Sequence, residues 1–112
     1  MVADLEEGAV VDPREVRAAA KNTWCVANPA TSEADLQNNI QFACSSTDCS
    51  LIQYGGACFD PQTIIFHASV AMNLYYQSVG RNSWNCYFGG SGLIVTTDPS
   101  YGNCKYANAE IC

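Results

Sequence analysis

Seven cysteines in 112 residues constrain the fold of this chain more than any other feature of its sequence. They stand at Cys25, Cys44, Cys49, Cys58, Cys86, Cys104 and Cys112. A chain this short buries a smaller share of its surface than a long one, and disulfide bonds are the usual remedy. The cysteine density therefore predicts one disulfide-stapled domain from an oxidising compartment, secreted from the cell.

A zinc-binding domain is the alternative use of so many cysteines. Zinc sites usually contain spacings such as Cys-x-x-Cys, and this chain has none. Its one histidine, His67, lies inside a helical pattern without a partner histidine. We therefore expect no metal site and no cofactor.

The charge of the chain excludes several classes of partner. The formal net charge is −6 and the isoelectric point is about 4.3. Arg81 is the only basic residue between Trp24 and Cys104, whereas nucleic-acid backbones require clustered Lys and Arg. No apolar run approaches the ~18 residues of a membrane span. No secretory leader is recognisable from Met1 onward. If the protein is secreted, we expect this sequence to be a trimmed piece of it.

Two helices are predicted from apolar residues at helical spacing. The first begins at the N-cap Ser32 and ends near Cys44. The second begins at Asp60, with Pro61 in its first turn, and ends at Gly80.

Three short segments have the alternating or β-branched composition of strands. They are Thr23 to Ala27, Trp84 to Phe88 and Leu93 to Thr97. The predicted fold class is therefore α+β: a small disulfide-rich domain with two main helices and a small antiparallel sheet of about three short strands.

The first 22 residues differ in composition from the rest. They contain no cysteine and no aromatic residue, and they hold five of the eleven acidic residues. We interpret residues 1–22 as an N-terminal extension or linker and residues 23–112 as the domain, with its packed part ending near Tyr106.

Glycoside hydrolysis would need two carboxylates that face each other across a cleft. Glu33, Asp35 and Asp60 lie at predicted helix starts, where acids stabilise the helix dipole. Asp98 precedes a proline in a turn, which leaves Asp48 in a loop without a second partner. We therefore expect no catalytic residues in this chain.

Tyrosine, tryptophan and side-chain amides are the residue types that bind carbohydrate, because flat rings face the C–H surface of a sugar and amides bond its hydroxyls. Three of the candidate residues also have a structural interpretation: Tyr75 would lie in the core, Trp84 would pack over a disulfide, and Arg81 would bond carbonyls at the helix end or an acid. The candidate stacking residues are Tyr54, Tyr75, Tyr76, Trp84 and Tyr101, and the candidate polar contacts are Gln77, Arg81 and Asn82.

Five sequence motifs go further than composition. They are Trp24-Cys25-Val26, Cys58-Phe59-Asp60-Pro61, the run from His67 to Gln77, the run from Gly80 to Cys86, and Asp98 to Cys104. Together they closely resemble the plant X-eight domain, the family 43 carbohydrate-binding module. The resemblance covers Thr23 to about Tyr106.

The resemblance implies three disulfide bonds: Cys25–Cys86, Cys44–Cys49 and Cys58–Cys104. Cys112 lies outside the six-cysteine pattern. It is free, pairs with another chain, or pairs with a residue beyond this sequence.

The resemblance also implies a function. It implies non-catalytic binding of β-1,3-glucan of the callose or laminarin type, by a monomer in the apoplast and cell wall. Members occur attached to family 17 endo-β-1,3-glucanases, as pollen allergens, and in callose-binding proteins with a lipid anchor at the plasma membrane. A glucanase domain in cis and such an anchor are thus both compatible with this sequence. The alternatives are an accessory domain of a glucanase, and a disulfide-rich protein ligand or allergen scaffold that binds no polysaccharide.

Overall fold

A computed structural model describes residues 22–108 of the chain. Except for Asn22, the predicted N-terminal extension lies outside this range, and so does Cys112.

The described residues form two helices, two strands and three short 3₁₀ helices. This composition confirms the α+β prediction. In chain order the elements are β1 (Trp24–Ala27), α1 (Glu33–Cys44), a 3₁₀ turn (Ser50–Ile52), α2 (Ile64–Ser78), two further 3₁₀ turns (Ser83–Cys86 and Phe88–Gly90) and β2 (Gly92–Val95).

The sheet has two strands, where about three were predicted. β1 and β2 pair antiparallel, with Trp24 opposite Val95 and Ala27 opposite Gly92. The third predicted strand, Trp84 to Phe88, instead lies in two successive 3₁₀ turns.

Local hydrogen bonding explains why that segment is not a strand. The Oδ1 atom of Asn85 accepts from the backbone N–H of Asn82 at 3.0 Å, and the two residues form a reciprocal capping box. Asparagine side chains that bond the nearby backbone favour turns over sheet ladders. At this point the amides outweigh the β propensity of Trp84 and Tyr87.

The start of α1 was predicted correctly and the start of α2 was not. Ser32 caps α1, and its hydroxyl oxygen accepts from Asp35 N at 3.1 Å. At α2, the cap is Thr63 and not Asp60. The carbonyl of Pro61 accepts from Thr63 N at 2.9 Å in a tight turn, so α2 begins at Ile64, three residues after the predicted first residue Pro61.

α2 is the centre of the domain, since it packs against both α1 and β1. Small residues allow the close approach: Ala68 and Ala71 are fully buried. Met72 and Tyr76 extend the same apolar surface towards β1 and Leu36 of α1.

A polar clamp joins α2 to both ends of the described chain. Asn73 accepts from Cys25 N at 3.0 Å through Oδ1 and donates to the carbonyl of Ala107 at 2.9 Å through Nδ2. Gln77 donates to the carbonyl of Thr23 at 2.7 Å. Asn73 is fully buried, so its bonds are sheltered from water.

All three disulfide bonds implied by the resemblance are present. Cys25–Cys86 joins β1 to the 3₁₀ turn after α2, and Cys58–Cys104 joins the loop before α2 to the C-terminal segment. Cys44–Cys49 closes a short loop at the end of α1.

Within residues 22–108 we find no helix with the length and apolarity of a membrane span. The same part of the chain contains no cluster of three side chains from His, Cys, Asp or Glu that could hold a metal ion.

Candidate functional site

A groove of about 460 Å³ opens between α1, the loop after it and the start of α2. α1 contributes one stripe of its surface, and the loop and α2 contribute the opposite wall. The lining residues are Gln37, Ile40, Gln41, Cys44, Cys49, Ile52, Gln53, Gln62, Thr63, Ile64 and His67.

The groove combines an apolar floor with amide side chains. Ile40, Ile52 and the Cys44–Cys49 disulfide provide apolar surface. Gln37 and Gln41, one helical turn apart on α1, are both exposed, and Gln53 and Gln62 are exposed on the other wall. Each amide offers two donors and an acceptor without a charge. No Asp, Glu, Lys or Arg lines the groove.

Three rings form a row beside the groove. The ring of Phe59 lies 5.8 Å from that of Tyr54, edge to face, and 5.8 Å from that of His67, stacked. Tyr54 stands at the outer end of the row and is 93% exposed. The row therefore presents one free aromatic face next to Gln53.

His67 is fixed in place by its backbone partner. Its Nε2 atom lies 2.7 Å from the carbonyl oxygen of Phe59. Because a carbonyl only accepts, Nε2 carries the proton and donates it. His67 thus forms part of the groove wall with its ring held by the backbone.

Two of the predicted contact residues, Tyr76 and Gln77, are buried and therefore not accessible to a ligand. Tyr76 is 1% exposed, and its hydroxyl lies 2.7 Å from that of Thr23. Gln77 is 8% exposed and donates to the carbonyl of Thr23. Burial raises the pKa of the Tyr76 hydroxyl, although its bond to Thr23 acts in the opposite direction. Both residues stabilise the fold.

The other predicted aromatic residues lie in separate groups. Tyr75 is half-buried and meets the rings of Phe42 and Phe88. Tyr101 packs edge to face with Phe66 at 5.7 Å and donates to the carbonyl of Asp60 at 3.1 Å. Burial, followed by the nearby Asp60 charge, raises the pKa of the Tyr101 hydroxyl.

Three predicted contact residues follow α2 in the chain: Arg81, Asn82 and Trp84. Trp84 is 71% exposed, so it does not pack over the neighbouring disulfide. Asn82 is half-buried and engaged with Asn85. The backbone of Arg81 is left-handed, with φ of 60°, and its backbone N–H donates to the carbonyl of Tyr76 at 3.0 Å. None of these three residues lines the groove.

Sequence reasoning missed the amides of α1 and the ring of Phe59. One signal was available, because the chain carries no charged residue from Leu36 to Thr47. A helix surface whose exposed residues are amides in place of Lys and Glu is unusual for solvent contact alone.

The acidic residues of the described chain are used locally. Asp48 Oδ1 accepts from Ser50 N at 2.9 Å, and Asp98 Oδ1 accepts from Ser100 N at 2.9 Å. Glu33 and Asp35 lie in the first turn of α1, as predicted. These contacts are those of turns and helix ends.

A comparison with protein families matches residues 23–93 of the chain to the X8 domain. Individual plant proteins match the same region. The chain is 51% identical over 92 residues to a glucan endo-1,3-beta-D-glucosidase of Olea europaea, covering 81% of this chain and 20% of the relative. It is 51% identical over 85 residues to a glucan endo-1,3-beta-glucosidase of Triticum aestivum, covering 76% of this chain and 18% of the relative.

A third relative is much shorter. The chain is 49% identical over 85 residues to the major pollen allergen Ole e 10 of Olea europaea, covering 74% of this chain and 69% of the allergen. The chain thus spans about a fifth of the length of the glucosidases that it matches and most of the length of the allergen.

Proposed function

Because the chain belongs to the X8 domain family, we propose that it is a carbohydrate-binding module for β-1,3-glucan and has no hydrolytic activity of its own. The match to a small part of proteins named as glucan endo-1,3-beta-glucosidases supports the glucan as ligand. The match to most of a pollen allergen supports a domain that also occurs without a large catalytic partner.

The observation that carries this proposal is the uncharged, amide-lined groove beside the exposed ring of Tyr54. A glucose ring would lie on Tyr54, and its neighbours along the chain would enter the groove. Gln53 and Gln41 would bond their hydroxyls, because an amide can donate and accept at once. The absence of charge from the groove lining suits a neutral polysaccharide.

One aromatic contact contributes only ~1 kcal/mol, so affinity must come from several sugars held together. We therefore propose that long oligosaccharides bind more tightly than short ones. A module of this kind would hold a longer protein on callose-type glucan in the plant cell wall.

Affinity electrophoresis of the oxidised protein tests the proposal. Native gels would contain laminarin, with a soluble β-1,4-glucan as the control polysaccharide. We expect laminarin alone to retard the protein. Tyr54→Ala should lower the affinity for laminarin, calculated from the retardation, about fivefold, the equivalent of ~1 kcal/mol of binding free energy. Tyr87→Ala is the matched control, because Tyr87 is 64% exposed and lies outside the groove.

Two results would contradict the proposal. Equal mobility of the folded protein in both gels would favour the alternative of a protein ligand or allergen scaffold. Release of reducing sugar from laminarin by this chain alone would overturn the non-catalytic assignment.

A further inference from the structure

A second aromatic surface lies on the other side of α1 from the groove. It consists of Phe42, Tyr75 and Phe88, and we call it the ring platform. The three rings meet edge to face, with centroids 5.0 Å apart for Phe42 and Tyr75, 6.0 Å for Phe42 and Phe88, and 5.9 Å for Tyr75 and Phe88. Phe42 is 52% exposed, and the other two rings are partly exposed.

The backbone of Phe88 is held in a conformation that bulky residues avoid. Its φ is 45°, in the left-handed region. The two residues after it, Gly89 and Gly90, adopt positive φ as glycines readily do. With this backbone, phenylalanine at position 88 lowers the stability of the fold relative to glycine. Its ring, however, packs against that of Phe42.

A hydrogen-bond relay fixes this turn to α1. The hydroxyl of Ser91 donates to the carbonyl of Phe88 at 2.6 Å, and Asn39 of α1 donates to the Ser91 hydroxyl at 2.8 Å. Ser91 is 7% exposed, so the relay is sheltered from water. The ring platform is therefore positioned in advance and does not depend on a ligand to form.

The three segments that supply the rings contain no formally charged residue, and Arg81 separates the last two of them. No Asp, Glu, Lys or Arg occurs from Leu36 to Thr47, from Pro61 to Gly80 or from Asn82 to Thr97, the three segments that supply the rings. The solvent-exposed surface of α1 connects the platform to the groove, because Gln41, which lines the groove, and Phe42 of the platform are both exposed.

We propose that the ring platform is a second section of the glucan-binding surface, so that one polysaccharide chain passes from the groove over Gln41 of α1 onto Phe42. This inference rests on the proposed function and adds an exit path to it. A short oligosaccharide would occupy the groove alone, and a long one would also cover the platform.

Binding of laminaritriose and laminarihexaose to platform variants tests the inference. Phe42→Ala removes the most exposed ring, and Phe88→Gly removes a ring while relieving its backbone. Phe66→Ala is the matched control, since Phe66 is 40% exposed and belongs to the separate pair with Tyr101. Isothermal calorimetry gives the affinities, and amide NMR of the wild type maps the residues touched.

We expect both platform variants to weaken hexaose binding about fivefold, as the loss of one aromatic contact implies, and to leave triose binding unchanged. Hexaose should shift the amide signals of Phe42 and Phe88, and triose should not. Phe66→Ala should change neither affinity.

Several outcomes would overturn the inference. Hexaose binding that both variants leave intact would show that the platform does not touch glucan. Equal weakening of triose and hexaose would show that the platform is not a separate section. A dimer that dissociates in the Phe42→Ala variant would assign the platform to self-association. If the wild type binds no glucan at all, the proposed function fails first and this inference with it.

Discussion

The hydroxyl groups of Thr23 and Tyr76 lie 2.7 Å apart, and each residue is 1% exposed. The pair joins the residue before β1 to the last turns of α2. A tyrosine that the sequence offered as a sugar contact is therefore a structural link between two elements.

Removing this hydroxyl should lower stability and leave binding intact. Tyr76→Phe leaves the Thr23 hydroxyl buried without its partner, so we expect a loss of ~1 kcal/mol in the free energy of unfolding. Urea unfolding with the disulfides intact measures it. Laminarin affinity should be unchanged, and a selective loss of affinity in a fully folded variant would return Tyr76 to the binding site.

Gly92 tolerates no side chain at the start of β2. A Cβ atom there would collide with the carbonyl carbon and oxygen of Cys86. We expect Gly92→Ala to cost at least ~3 kcal/mol, since backbone atoms must move. Gly89→Ala is the control: its Cβ would meet nothing within 4 Å, and the φ of 65° should cost only ~1 kcal/mol. Similar thermal midpoints for the two variants would contradict the collision.

The Cys44–Cys49 disulfide should matter more for binding than for stability. It closes a loop of sequence separation 5, for which the chain-entropy relation gives ~2 kcal/mol. The same relation gives ~4 kcal/mol for Cys25–Cys86, with separation 61. The double variant Cys44→Ala, Cys49→Ala should therefore fold, yet bind laminarin more weakly because its groove wall is no longer tied. Undiminished binding would show that the wall holds its shape without the bridge.

Stability should fall at alkaline pH through Tyr106. This residue is 3% exposed, and burial, aided by the neighbouring Tyr101, raises its pKa from 10.0 to about 12. The unfolded chain loses the proton first. The stabilising contribution is thus complete below pH 10.0 and declines as the pH rises towards 12.

Unfolding in urea at a series of pH values would measure this decline. Tyr106→Phe should reduce the slope of the free energy of unfolding above pH 10.0, because the titrating group is gone. An unchanged slope in this variant would assign the alkaline effect to other groups.

The sequence predicted the elements whose signals are local and strong. The apolar spacing around Leu36 and the cap at Ser32 located α1, and the cysteine pattern located the three bridges through the family resemblance. The prediction of a strand from Trp84 to Phe88 was wrong, because the side chains of Asn82 and Asn85 bond the nearby backbone and compete with strand pairing. That competition depends on geometry, which composition does not reveal.

The candidate site was less predictable, because exposure decides which rings can bind. Tyr75 and Tyr76 are adjacent on α2, yet one contributes to the ring platform and the other fills the core. The amides of the groove come from three separate segments, and only the tertiary fold brings Gln37 and Gln53 together.

The clamp formed by Asn73 and Gln77 has a consequence for engineering. It binds the carbonyls of Thr23 and Ala107 side by side, so the polypeptide enters and leaves the domain at one place. His67, in the groove wall, lies about 15 Å from Gln77 along the axis of α2. A circular permutant that joins residues near Thr23 and Ala107 through a short linker should keep the groove. A reporter fused near Thr23 or Ala107 would lie at the opposite end of α2 from the groove.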